Sequence, residues 1–235
     1  MIPIDCLAFS PHPDDAELFC SGLLLKLKAQ GYHIAVVDLT RGELSSNGDL
    51  KTRKKETEEA TKILKLDKRF NLKIPDGNIE NNEKNRVNII KLIRQMCPKV
   101  CLLPYWEDRH PDHIAAALVL RDAIFYAGLK KIKTGQEAYR PQAILYYMLH
   151  KPFIPTFVVD ISQEMDAKLD AIKAYKSQFL LETKNSIMTY INRPEFLETI
   201  VTRAKFYGQQ IGCKYGEPYY YHETIKIENI MQFFA

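Results

Sequence analysis

Short apolar runs alternate with longer stretches in which apolar residues recur at helical spacing. Residues 6–9 (CLAF) form the first apolar run, and 34–39 (IAVVDL) and 100–103 (VCLL) repeat the type. Runs this short and this continuous predict buried strands. Between the first two, Leu18, Phe19, Leu23, Leu24 and Leu27 predict one helix over 16–30, stopped at Gly31. Further helices are expected over 54–66, 86–96, 113–128, 165–175 and 195–207. Further strands are expected at 70–74, 143–149, 157–161 and, rich in tyrosine, 219–225. The stretches 40–53 (TRGELSSNGDLKTR) and 75–82 (PDGNIENN) read as loops from their Gly, Pro and Asn content. Strand–helix alternation predicts an α/β fold, a mostly parallel sheet with helices on both faces. No composition shift marks a boundary, so one domain over 1–235 is expected.

The chain has 235 residues, 46% hydrophobic and 26% charged, a globular composition that excludes disorder and collagen-like structure. Its net charge of +4 is mild and unclustered, giving no footprint for nucleic acid or a membrane surface. No apolar run approaches the roughly 20 residues of a spanning helix. The N-terminus lacks the basic and apolar regions of a signal peptide. Five cysteines, three in strongly apolar segments, suit free thiols in a reducing cytoplasm.

Two short strings concentrate the chemistry. His12-Pro13-Asp14-Asp15 follows the first strand, and His110-Pro111-Asp112-His113 follows the strand at 100–103. In open α/β sheets, ligands bind outside the carboxyl ends of strands, so the strings can meet in space. Pro and Asp also suit helix starts, but capping has no need of histidines. His12 and Asp15, three residues apart at a first helical turn, can reach one ion, with His113 as third ligand. Two imidazoles and a carboxylate suit zinc and equally iron(II). Asp14, His110 and Asp112 then remain for proton transfer: a carboxylate base, an imidazole facing the oxyanion or leaving amine, and a carboxylate orienting that imidazole. A metal-assisted hydrolase needs such a division of roles, whereas an iron oxygenase has no use for the spare acid and base. A non-catalytic sugar-binding module would not need Asp14 and His110 either. No GxGxxG follows the first strand, which disfavours a dehydrogenase.

The segments FSPHPDDAELFCSG, VVDLTRGELSSNG, EDRHPDH and AYKSQF together resemble the LmbE-like (PIG-L) family of zinc N-acetylglucosaminyl deacetylases, most of all its bacillithiol-biosynthesis branch. The resemblance runs from residue 5 to about 216. It implies a Rossmann-like fold and removal of acetyl from a small amino-sugar substrate, N-acetylglucosaminyl-malate in that branch. It implies zinc on His12, Asp15 and His113, with Asp14 as base and His110, paired with Asp112, as stabiliser and acid. It also implies a homo-oligomer, a hexamer in the family. Arg53, which matches an arginine of the branch, and Arg109, just before HPDH, are candidates for the malate carboxylates. Ser46 and Asn47 are candidates for sugar hydroxyls. Where the branch carries an oxyanion-stabilising tyrosine this chain offers Phe196, with Tyr190 nearby as a substitute. His33, His150, His222 and Trp106 read as structural or exposed residues.

Overall fold

In the computed structural model, residues 3–180 and 186–233 are described. The elements in chain order are β1 (Cys6–Ser10), α1 (Asp15–Phe19), α2 (Ser21–Ala29), β2 (Ile34–Asp38), α3 (Leu50–Ile63), β3 (Lys68–Asn71), α4 (Glu83–Met96), β4 (Val100–Pro104), α5 (Pro111–Ala127), β5 (Ala143–Tyr147), β6 (Phe157–Asp160), α6 (Met165–Lys173), α7 (Lys176–Phe179), α8 (Phe196–Gln210), β7 (Gly216–Tyr221) and α9 (Ile230–Phe233). They build one mixed sheet in the order β3-β2-β1-β4-β5-β7-β6. Strands β1 to β5 are parallel, and β7 runs antiparallel between β5 and β6.

The continuous apolar runs are strands because both sheet faces are covered. Leu7, Phe9, Ala35, Val37, Cys101 and Leu103 point to one face and pack with apolar residues of α4 and α5. Cys6, Ala8, Ile34, Val36 and Leu102 point to the other and pack with residues of α1, α2, α6 and α8. Alternation along each strand thus divides one run between two cores. The expected α/β architecture, mostly parallel with helices on both faces, is the one observed.

Several boundaries differ. The helix expected over 16–30 is two helices, broken at Cys20 with φ −140°. The break is fixed from far away: the Glu217 carboxylate on β7 accepts the N–H groups of Gly22 (3.1 Å) and Leu23 (2.8 Å). Gly22 is required there, since a Cβ would come within 2.7 Å of Ile161. Helices α3, α4 and α5 begin earlier than expected, each from a capping side chain: Asp49 to Thr52 N–H, Asn82 to Asn85 N–H, and His110 to Asp112 N–H. The third strand lies at 68–71 rather than 70–74, and the tyrosine strand starts at Gly216 and ends at Tyr221. All five cysteines are free, with Cys6, Cys20 and Cys101 buried. Among the described residues no helix is long and apolar enough to cross a membrane.

The connectivity positions the site. From β1 the chain winds outward through β2 and β3, then returns to lay β4 on the other side of β1. Loops leaving neighbouring parallel strands in opposite directions open a crevice at the carboxyl edge. The HPDD and HPDH strings leave β1 and β4 at that crevice.

Candidate active site

The turn after β1 is stitched by Ser10, whose hydroxyl donates to His12 O (2.5 Å) and accepts Ala16 N–H (3.1 Å). His12 N–H in turn donates to Asp15 Oδ2 at 2.9 Å. Between them Asp14 takes φ 130°, a left-handed conformation that a side chain rarely adopts. Such a residue costs on the order of 1–3 kcal/mol and persists only where its surroundings hold it. Arg53 supplies the hold. It is 5% exposed, and its Nη1 donates to Pro13 O and to Asp14 Oδ2 (3.0 Å). Its Nη2 donates to Ser45 Oγ at 2.6 Å. Arg53 is therefore at the site, but turned inward to protein groups.

In the second loop Pro111 opens α5 and His110 caps it, Nδ1 accepting Asp112 N–H at 3.2 Å. Helix capping and candidate chemistry thus reside in the same residue. With Nδ1 an acceptor, a neutral His110 carries its proton on Nε2, outward. Burial, followed by the charges of His113 and His12, lowers its pKa and favours that neutral form. The expected pairing of the Asp112 carboxylate with His110 is not what forms. That carboxylate instead meets His12 Nε2 (3.2 Å) and accepts Gly77 N–H (2.8 Å), because capping turns only the Asp112 backbone toward His110.

The strings do converge. Ring centroids of His12 and His110 lie 4.8 Å apart, and those of His110 and His113 4.7 Å apart. Asp15 Oδ2 faces His12 Nδ1 and His113 Nε2, each at 3.2 Å. One donor atom from each of His12, Asp15 and His113 lies within 4.8 Å of the other two. The outer nitrogens also face carboxylates: His12 Nε2 meets Asp76 (3.1 Å) and Asp112, and His113 Nδ1 meets Asp108 (2.6 Å). A neutral imidazole has one N–H, so without a further cation each ring must be protonated to satisfy both sides. Burial opposes protonation, but bonds to Asp112, Asp15 and Asp76 hold the His12 pKa well above its usual value. The charge of Asp15 and the bond to Asp108 likewise bring His113 up to about 9 against its burial. A divalent cation among the three inner donors would take the place of the two inner ring protons, leaving each ring neutral with one outer N–H. The outer N–H groups then go to Asp76, Asp112 and Asp108, the usual carboxylate support of metal-binding histidines.

Around this centre the other expected residues divide. Asn47 spends its side-chain amide on the backbone of Ile187, donating to the carbonyl and accepting the N–H, both at 2.8 Å. It joins two loops rather than offering that amide to a sugar. Gln178 of the AYKSQF segment supports it, donating to Asn47 O. Ser46 is exposed, and its neighbour Ser45 makes the contact to Arg53. Arg109 is exposed and lies over the Tyr190 ring, 4.2 Å from its centroid. Tyr190 stands edge-on to His150 at 5.5 Å, whereas Phe196 is buried and stacks on Phe179.

Sequence reasoning missed Asp76, Asp108 and His150. Asp108 orients His113, and its other oxygen accepts the N–H groups of His150 and Lys151. The His150 ring stacks on that of His113 at 5.9 Å, and burial brings its pKa down to about 4. A signal for His150 existed: it follows β5 at the same carboxyl edge as the two strings. Asp76 lies in a PDG segment that reads as a plain turn.

The model of the PIG-L family, described as GlcNAc-PI de-N-acetylase, matches residues 7–124, half of the chain. A diacetylchitobiose deacetylase of Thermococcus kodakarensis is 29% identical over 226 residues, covering 90% of this chain and 80% of its own. A conserved protein of Thermus thermophilus superposes with TM-score 0.88 at 35% identity, over 96% of this chain and 98% of its own. The N,N'-diacetylchitobiose deacetylase of Pyrococcus horikoshii, solved with an inhibitor, gives 0.82 at 26% identity, over 93% and 83%. On these matches and the paired His–Asp strings, the chain belongs to the PIG-L family of deacetylases.

Proposed function

We propose that the protein is a divalent-metal hydrolase that removes the acetyl group from an N-acetylglucosaminide. The convergence of His12, Asp15 and His113 beside a carboxylate outside that donor set, Asp14, carries this reading. Zinc is the first choice for two imidazoles and a carboxylate, and iron(II) accepts the same donors. Bound there, the ion would polarise the amide carbonyl and acidify water. Asp14 takes the proton as the water oxygen attacks the carbonyl carbon. Burial pushes this carboxyl up to about 7, with Arg53 opposing, and thus toward the range of an effective base. Only the ionised form accepts a proton, so turnover falls on the acid side. His110 donates its Nε2–H to the oxyanion as a neutral ring, and Tyr190 supports it from the rim. The C–N bond then breaks, the proton passes from Asp14 to the nitrogen, and acetate and a free amine leave.

The finer substrate reading is N-acetylglucosaminyl-malate. Arg109 carries it, since Arg53 is engaged with Asp14. One sheet through β1–β7 supports a single domain over 1–235. The three buried free thiols suit a reducing cytoplasm. Exposed Leu118 and Phe125, seven residues apart on α5, suit a contact between copies.

The test is acetate and free-amine release from a panel of N-acetylglucosaminides. Release across the panel is expected, and its absence from every member would refute the reading. The malate glycoside is expected to outrun the methyl glycoside in kcat/KM, with Arg109→Ala erasing the difference; equal rates reject malate. His110→Ala is expected to lower kcat roughly 100-fold with metal content unchanged. An unaltered kcat would remove His110 from the mechanism.

A further inference from the structure

Arg53 was expected to read substrate carboxylates, but its surroundings describe a different task. It lies on α3, whose buried face is Arg53, Glu56 and Ala60. Glu56 fixes that face by accepting Ser177 N–H (2.6 Å) and Ser177 Oγ–H (2.7 Å). The guanidinium lies over the Tyr175 ring, 5.9 Å from its centroid, and the Gly42 backbone passes so close that a Cβ would stand 3.4 Å from Arg53 Cζ. From this enclosed position one planar fork reaches Pro13 O, Asp14 Oδ2 and Ser45 Oγ at once. Ser45 is itself held, donating to Gly42 O at 2.7 Å. Asp14 is the one residue of the HPDD turn with a left-handed backbone, and Arg53 holds both its side chain and the carbonyl just before it.

We infer that Arg53 is a positioning residue that clamps the strained Pro13–Asp14 turn and aims the Asp14 carboxylate, and that it does not bind substrate anions. The inference rests on Asp14 being the base. Binding to a carboxylate of the substrate would require the fork to release contacts that hold the turn. A lysine keeps the charge but not the fork, since one ammonium cannot span Asp14 and Ser45 in fixed directions.

The test is a double-mutant cycle between Arg53→Gln and Asp14→Asn in the metal-replete full chain, using a methyl and a carboxylate-bearing N-acetylglucosaminide. Arg53→Gln is expected to lower kcat at least about tenfold, with KM for both substrates within about twofold and metal content unchanged. Arg53→Lys is expected to recover only a minor part of that loss. In the Asp14→Asn background Arg53→Gln is expected to cost nothing more, because the group it aims is already disabled. A raised KM confined to the carboxylate substrate, with kcat intact, overturns the inference in favour of anion binding. A loss that adds to that of Asp14→Asn overturns it in favour of general destabilisation. Should Arg53→Gln fail to fold, Ser45→Ala removes one anchor and is expected to lower kcat about threefold at constant KM, again only while Asp14 is present; no loss, or a loss that persists without Asp14, overturns the clamp. An active Asp14→Asn protein overturns the base assignment itself, whereas an inert Asp14→Asn with an unaltered Arg53→Gln overturns the clamp alone.

Discussion

Asp14→Asn is expected to lower kcat by roughly 100- to 10,000-fold, the usual worth of a positioned general base, while metal content stays at the wild-type level. The substitution is close to isosteric, and the new amide oxygen can still accept from Arg53 Nη1, so the turn keeps its anchor. What disappears is an oxygen able to take a proton. The neighbouring Asp15 cannot replace it, because its Oδ2 faces both His12 and His113. Those charges hold the Asp15 carboxyl well below the ordinary range against its burial, as suits a ligand and not a base. Kinetics together with metal analysis of the purified variant decide the matter. Near-normal kcat would remove Asp14 from proton transfer, and loss of metal would make it a ligand instead.

His113→Ala is expected to abolish turnover together with metal binding, and to lower thermal stability. His113 is 2% exposed and bridges Asp15 and Asp108, so its removal leaves two carboxylates facing a cavity. Breaking a buried ionic arrangement on one side typically costs about 3–5 kcal/mol. The backbone N–H groups of His150 and Lys151 remain on Asp108 and soften that loss. His113→Gln, which keeps a polar group in the gap, is expected to retain more stability than His113→Ala while still losing metal. Melting temperature and metal stoichiometry, measured on both variants, separate the two effects. A His113→Ala protein that keeps one tightly bound ion would contradict the ligand assignment.

The parts of the molecule legible in the sequence are those written locally. The strands at 6–9, 34–39 and 100–103 show as unbroken apolar runs because both faces of each are buried. HPDD and HPDH show because each packs several chemical groups into four residues at a strand end. The parts that were not legible depend on distant partners. The break at Cys20 needs Glu217, which caps Gly22 from 195 positions away. Asp76 looks like any turn residue until folding brings it to His12. The carboxylate of Asp112 misses the expected partner because capping by His110 directs the Asp112 backbone, and not its side chain, to that ring. Ser45 and Ser46 are indistinguishable by composition, and the loop's path toward Arg53 selects Ser45. Asn47 reads as a sugar ligand because its amide can serve either task, and the partner it finds, Ile187, lies 140 positions away.

If one divalent ion on His12, Asp15 and His113 drives deacetylation of an N-acetylglucosaminide, turnover must follow metal loading. The most direct measurement is acetate release from such a substrate by metal-stripped protein, before and after one equivalent of zinc. The stripped protein is expected to release none, and turnover is expected to return at one zinc per chain, with no restoration in His113→Ala. Undiminished release after complete metal removal, or tight binding of one zinc with no release from any N-acetylglucosaminide, would contradict it.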